Sequence, residues 1–205
     1  MHSEILTEKQ IELLPYLSKY KRSFYLVGGT AISLHIGHRE SIDFDLFTIS
    51  KLNKTAIKNK LENIPFRKKI IFEDIDQIHL NINDVKVTFF QYPYKIEHSE
   101  VFNKILTLPD LLSLSAMKAY ALGRRTKWKD YVDLFFIIKN FYSVKEISDK
   151  AKQIFDYHFS EKLFIQQLAY HKDIDYTEPV IFKNGFEIDA DTVRNFLIDV
   201  SLQEL

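Results

Sequence analysis

Asp43 and Asp45 stand one residue apart in Ser41-Ile42-Asp43-Phe44-Asp45-Leu46-Phe47, a short way beyond the tripeptide Gly28-Gly29-Thr30. Side chains alternate along a strand, so both carboxylates fall on one face. From there they can share one hard divalent cation, which takes oxygen ligands. The cation also relieves the repulsion between the two like charges. Gly28 and Gly29 lack a Cβ and let the backbone close on phosphate oxygens. The N–H groups that open the following helix point the same way. The Thr30 hydroxyl is a further candidate phosphate contact. These residues suit a nucleoside triphosphate held with Mg²⁺. The glycines are not a dinucleotide fingerprint, which needs a third glycine, nor a P-loop, which needs Lys-Ser/Thr.

Four more residues carry candidate roles. Arg39 precedes the acidic segment and can meet a phosphate, or pair with Glu40 or Asp43. Lys118 interrupts an apolar helix, where an ammonium can act as a point charge on a triphosphate. Asp130 and Asp133 are three apart and share a helical face. Asp130 suits a capping acid at a helix start or a carboxylate beside a substrate hydroxyl. His35 reads as a packed histidine, and His79 and His98 as structural; no spacing supports a histidine metal site.

The elements that must position these groups follow from periodicity. A helix is expected over residues 7–20, with Thr7 as N-cap and Ile11, Leu14 and Leu17 inward. Phe24 to Val27 reads as a strand, Thr30 to Ile36 as a helix stopped by Gly37, and Ile42 to Phe47 as a strand with Ile42, Phe44 and Leu46 opposite the aspartates. Asn53 to Asn63 reads as a basic helix. Residues 69–94 read as a hairpin of two strands about Asn83-Asp84, halted by Pro93. From Pro109 helices follow: residues 110–125, 127–140, 160–170 and 191–202. The fold class is α+β, a mixed sheet flanked by helices and then a helical half. The boundary falls near residues 104–110, giving an α/β core over 1–105 and a helical region packed on it over 106–205.

Bulk properties narrow the function. A chain of 205 residues with no cysteine has neither a disulfide framework nor a thiolate zinc site, which fits a cytoplasmic protein. The N-terminal residues include acids and no apolar core of a secretory signal. No run approaches the ~18 apolar residues of a membrane span. Net charge is zero but uneven. Residues 51–69 carry seven Lys or Arg against Glu62 alone, and residues 118–129 carry five basic residues and no acid. Such runs are either solvated helix faces or a local positive surface for phosphates or nucleic acid.

Taken in order, four blocks resemble the AbiEii/AbiGii family of nucleotidyltransferase-like toxins: Gly28-Gly29-Thr30, the Asp43-Phe44-Asp45 segment, Ala116-Met117-Lys118, and Lys129-Asp130 through Asp133-Leu134. The similarity runs over roughly residues 20–182. It implies the DNA polymerase β-type nucleotidyltransferase fold. It also implies Mg²⁺ on Asp43 and Asp45, NTP binding by Gly28, Gly29, Thr30, Lys118 and Asp133, with Arg39 beside them, and catalytic roles for Asp43, Asp45, Lys118 and Asp130. The implied substrate is an NTP, and the acceptor an RNA, such as the 3′ end of tRNA, or a protein hydroxyl. The implied partner is a cognate antitoxin, in toxin–antitoxin or phage-defence systems. One departure stands out: Thr88 occupies the place of the third metal carboxylate usual in polymerase β-type enzymes. A second metal is then absent, weak, or held by Asp130 or Glu73. That departure opens a second reading, a nucleotide-binding regulator without turnover; a third is an interaction module that binds a partner through its helical half. On the catalytic reading, Asp43→Ala and Lys118→Ala abolish activity and leave the fold intact.

Overall fold

The computed structural model describes residues 1–122 and 124–203. The chain divides into two compact units, Met1–Asp110 and Leu111–Leu205.

In the first unit, α1 (Glu8–Leu17) starts at Thr7, whose side chain accepts from the Gln10 N–H while the Gln10 side chain returns to the Thr7 backbone. This reciprocal capping box satisfies two donors that the helix leaves open. The helix buries Gln10, Leu13, Leu14 and Leu17, and leaves Ile11 exposed. Ile11 was expected inward; the buried stripe is shifted by a residue, and Gln10 enters it to donate to the Ser41 carbonyl at 2.7 Å.

Next come β1 (Tyr25–Val27), α2 (Gly28–Ile36), β2 (Asp43–Thr48) and α3 (Lys54–Glu62). Gly37 ends α2 at φ 78°, in the left-handed region, the position glycine takes at a helix stop. The expected two-strand hairpin is instead a three-strand meander, β3 (Lys68–Asp74), β4 (Gln77–Ile82) and β5 (Val85–Gln91). Asn83 and Asp84 make its second turn with φ of 55° and 64°, values that suit tight hairpins and that Asn and Asp tolerate. The first turn, at Ile75-Asp76, carries no glycine or proline and escaped notice.

The five strands lie in the order β1-β2-β5-β4-β3. Only β2 and β5 run parallel; the other neighbours are antiparallel. Phe44 and Leu46 of β2, Ile78 and Leu80 of β4, and Val87 and Phe89 of β5 are buried on one face. Tyr20 beyond α1 packs on Phe89 and donates to the Ile57 carbonyl of α3 at 3.0 Å. Ile42 falls outside β2 and is 49% exposed, so it is not part of that apolar face. Edge strand β3 is exposed along its whole length, and its register with β4 shifts between Ile70 and Phe72. A small hairpin of β6 (Glu100–Phe102) and β7 (Leu106–Leu108) completes the unit beside β1.

The second unit is helical: α4 (Leu111–Leu122), α5 (Trp128–Asn140), α6 (Val144–Phe155), α7 (Glu161–Ala169) and α8 (Ala190–Gln203). The helix expected over 110–125 is α4; Gly123 lies outside the described residues. Helix α6 was not anticipated. Ser143 and Glu146 cap it with a second capping box, and Tyr120 of α4 stacks on its Phe155 with ring centres 4.1 Å apart. None of the described helices is long and apolar enough to cross a membrane.

Candidate active site

Helix α2 begins at the Gly-Gly turn, and its cap residue Val27 provides no side-chain acceptor. The first N–H groups of a helix have no acceptor within it, and they carry the positive end of the helix dipole. Gly28 sits at φ 74°, a region glycine enters without steric cost. A Cβ there would fall on Oδ2 of Asp45. A Cβ on Gly29 would lie 2.6 Å from Nη2 of Arg39 and 3.1 Å from Oγ of Ser41. The two glycines therefore let a carboxylate and a guanidinium close on successive residues of one turn.

Asp43 and Asp45 are half-buried and alternate with the buried Phe44 and Leu46, so they share the other face of β2. In the parallel ladder Asp43 stands opposite Lys86, and Asp45 opposite Thr88. His79 of β4 stands on the far side of Thr88. Asp45, Thr88 and His79 thus form one row across three strands. Burial, with a smaller contribution from Lys86, holds the His79 imidazole below its usual pKa.

Thr30 has a different task from the phosphate contact expected of it. It is 1% exposed, and its hydroxyl bonds to Ser41 Oγ at 2.9 Å and to the Asp43 carbonyl. It ties the first turn of α2 to the segment that delivers the aspartates. Arg39, equally buried, donates from Nη1 to the Glu40 carbonyl at 2.9 Å. It lies beneath Gly29.

The donor set fits a hard cation: two carboxylates on one face, one of them filling the space a Cβ at Gly28 would occupy. No group of three or more His, Asp or Glu suited to a metal is found among the described residues. Glu73, considered as a substitute third ligand, is held by Lys58 at 2.8 Å and Lys54 at 3.4 Å.

In the second unit Lys118 is buried, against the default for a lysine. Its ammonium lies 2.7 Å from Asp130 Oδ1 and 2.9 Å from Asp133 Oδ2. Both carboxylates are buried too. Arg125, half-exposed, closes on Asp130 from Nε at 2.8 Å and Nη2 at 3.3 Å. Burial alone would raise the Asp130 carboxyl. Attraction to Lys118 and Arg125, with the Lys118 hydrogen bond, outweighs burial and the repulsion from Asp133, and holds it below the usual carboxylate range. Asp130 is thus committed to two cations rather than free to take a second metal. Sequence reading counted Arg125 only within a basic run. The available signal was its place five residues before Asp130, within the α4–α5 loop.

The family model described as "Nucleotidyl transferase AbiEii toxin, Type IV TA system" matches residues 13–105. The protein aq_aa25 of Aquifex aeolicus (strain VF5) is 30% identical over 155 residues, covering 73% of this chain and 74% of that protein. The chain belongs to the AbiEii nucleotidyltransferase family. Its activity class is accordingly nucleotidyl transfer. The AbiEii match takes in the Gly-Gly turn, both aspartates of β2 and Thr88. Among solved structures, MenT4, a nucleotidyltransferase toxin of Mycobacterium tuberculosis H37Rv, superposes with a TM-score of 0.65 at 14% identity over 96% of this chain and 82% of that one. JHP933 from Helicobacter pylori does so with a TM-score of 0.61 at 16% identity, over 97% of this chain and 92% of that one. At such identity the likeness is one of fold, and it bears out the α+β nucleotidyltransferase architecture expected from the AbiEii motifs.

Proposed function

We propose that this AbiEii-family nucleotidyltransferase moves a nucleoside monophosphate from an NTP to a hydroxyl of RNA, such as the 3′ end of tRNA, or of a protein. It does so with Mg²⁺, in the cytoplasm, as the toxin of a bacterial toxin–antitoxin or phage-defence system, with a cognate antitoxin as partner. The observation that carries the reading is the Asp45 carboxylate closed against Gly28 at the N-terminus of α2. Carboxylate oxygens and the backbone N–H groups that begin a helix are brought together there, the pairing that a metal-bound triphosphate needs.

Asp43 and Asp45 provide the oxygen donors for Mg²⁺, which when bound neutralises phosphate charge. The Gly28 and Gly29 backbone takes phosphate oxygens, with Arg39 as a fixed positive charge beneath. Thr30 keeps the turn and the aspartates in register. The acceptor oxygen bonds to the α phosphorus as the bond from that phosphorus to its bridging oxygen breaks. Pyrophosphate leaves with the electron pair, and the acceptor proton passes to solvent. Lys118 and Asp130 take the family roles of charge neutralisation and acceptor orientation, with Asp133 fixing Lys118. The depressed Asp130 carboxyl is a weak proton acceptor at neutral pH, so orienting a hydroxyl suits it better than removing its proton. Most of the rate then comes from positioning and preorganised charge.

The test is transfer from each α-³²P-labelled NTP, with Mg²⁺, to total bacterial RNA and to the protein itself, with Asp43→Ala as control. Label that enters RNA or protein and disappears with Asp43→Ala or EDTA supports the reading. Folded wild-type protein that transfers no label from any NTP overturns it.

A further inference from the structure

A concavity lies in the first unit, at the opposite end of the β1–β2 pair from the Gly-Gly turn. Gly28 follows the last residue of β1 and Asp43 opens β2. The concavity is lined instead by the residues that lead into β1 and those that leave β2. Its volume is about 450 Å³, within the ~300–1,000 Å³ of small-ligand sites. Lys21, Arg22, Lys51, Lys60 and Lys95 surround it, and no aspartate or glutamate is among the described residues that line it. The chain as a whole has as many acids as bases, so this segregation of charge is local.

Three details distinguish the cleft from a set of solvated lysines. Lys60 is fixed in place, donating to the Lys19 carbonyl at 2.9 Å with its ammonium 5.0 Å from the Tyr20 ring centre. Lys21, Arg22, Lys51 and Lys95 have no ion-pair partner among the described residues, although neighbouring lysines of α3, Lys54 and Lys58, are paired with Glu73. Tyr25 belongs to the wall, stacked on His98 with centroids 4.4 Å apart. It is 4% exposed, and its hydroxyl has no hydrogen-bond partner among the described residues. A buried hydroxyl without a partner is costly, and like charges around a concavity with low-dielectric walls concentrate a positive potential that an anion relieves.

We propose that this cleft is a phosphate site separate from the Gly28–Asp45 site, and that it holds a nucleotide phosphate, from either a free nucleotide or a nucleic-acid strand. The apolar floor, with Phe24, Ile57 and Ile96, accommodates the uncharged part of such a ligand, and the rim takes its charge. The proposal concerns binding alone and stands whether or not transfer occurs at Asp43.

The experiment measures binding to the full chain carrying Asp43→Ala, in EDTA, so that the metal-dependent site contributes nothing. The probes are a fluorescent single-stranded RNA decamer, read by anisotropy, and AMP as competitor. Added Lys21→Ala, Arg22→Ala and Lys51→Ala substitutions weaken decamer binding at least tenfold. They also lower the slope of log K against log salt by about 2, the share of three single-strand phosphate contacts. A control with the exposed lysines Lys104, Lys162 and Lys172 changed to Ala binds as the parent does. Competition by AMP assigns the phosphate to a free nucleotide, and lack of competition assigns it to the strand. No binding by the parent of either probe, equal binding by the cleft variant, or equal loss in the control overturns the proposal.

Discussion

Asp45 lies directly across the parallel β2–β5 ladder from Thr88. Opposed residues of neighbouring strands, about 4.8 Å apart, project to the same face. Thr88 therefore occupies the position from which a third carboxylate would meet a cation bound between Asp43 and Asp45. Thr88→Asp is expected to lower the melting temperature in EDTA, where three carboxylates repel, and to restore it in Mg²⁺. The Mg²⁺ concentration for half-maximal transfer should fall at least tenfold. Thermal unfolding with and without metal checks this; a loss in EDTA that Mg²⁺ does not reverse counts against the placement.

Gly28→Ala combines two penalties. The left-handed backbone costs a residue with a Cβ about 1–2 kcal/mol, and that Cβ meets the Asp45 carboxylate. Transfer is expected to drop at least tenfold because the carboxylate is displaced. Gly185 is the comparison, with φ 90° and nothing within 4 Å of an added Cβ. Gly185→Ala should lose stability in urea unfolding and keep wild-type transfer.

Lys118→Ala was expected to remove activity from an intact fold. The buried contacts to Asp130 and Asp133 change that expectation. Removing the ammonium leaves two buried carboxylates, and breaking a buried pair in this way costs about 3–5 kcal/mol. Lys118→Ala should be markedly destabilised, whereas Asp43→Ala, on a half-exposed position, should unfold within about 0.5 kcal/mol of wild type. Chemical denaturation of both proteins separates the two cases.

The Asp130 carboxyl titrates below its unfolded value, so its ion pairs stabilise the fold fully above the unfolded pKa of about 3.9. That contribution is lost as pH falls through the lower folded value. Asp130→Asn removes it. Melting temperatures from pH 7 down to pH 2 should converge between wild type and Asp130→Asn at the acid end and differ most at neutral pH. A constant difference across the range would mean that the charge on Asp130 adds nothing to stability.

Local signals made much of this molecule readable. Thr7 before α1, Gly37 after α2 and the Asp-x-Asp alternation of β2 each depend on a few adjacent residues, and the structure has them where the chemistry put them. The unread parts depend on distant partners. The row of Asp45, Thr88 and His79 is a matter of register between strands far apart in sequence. The burial of Lys118 depends on two carboxylates of another helix, since a lysine alone reads as exposed. Thr30 was assigned to phosphate because a hydroxyl beside two glycines suits one; only the approach of Ser41 and Asp43 reveals its competing partners. Helix α6 is the exception, since Ser143-x-x-Glu146 was a legible start signal.

The shift in register between Ile70 and Phe72 bears on solubility. β3 exposes Ile70, Ile71, Phe72 and, just beyond it, Ile75 on the open margin of the sheet, a template on which another chain could add a strand. The irregular pairing breaks the even row of backbone donors and acceptors such an addition needs, and Lys68 and Lys69 place charge at the strand's start. The irregularity thus acts as a guard against self-association. Straightening β3 by deleting Ile71 would give a protein that folds with a smoother edge and aggregates more readily as its concentration rises.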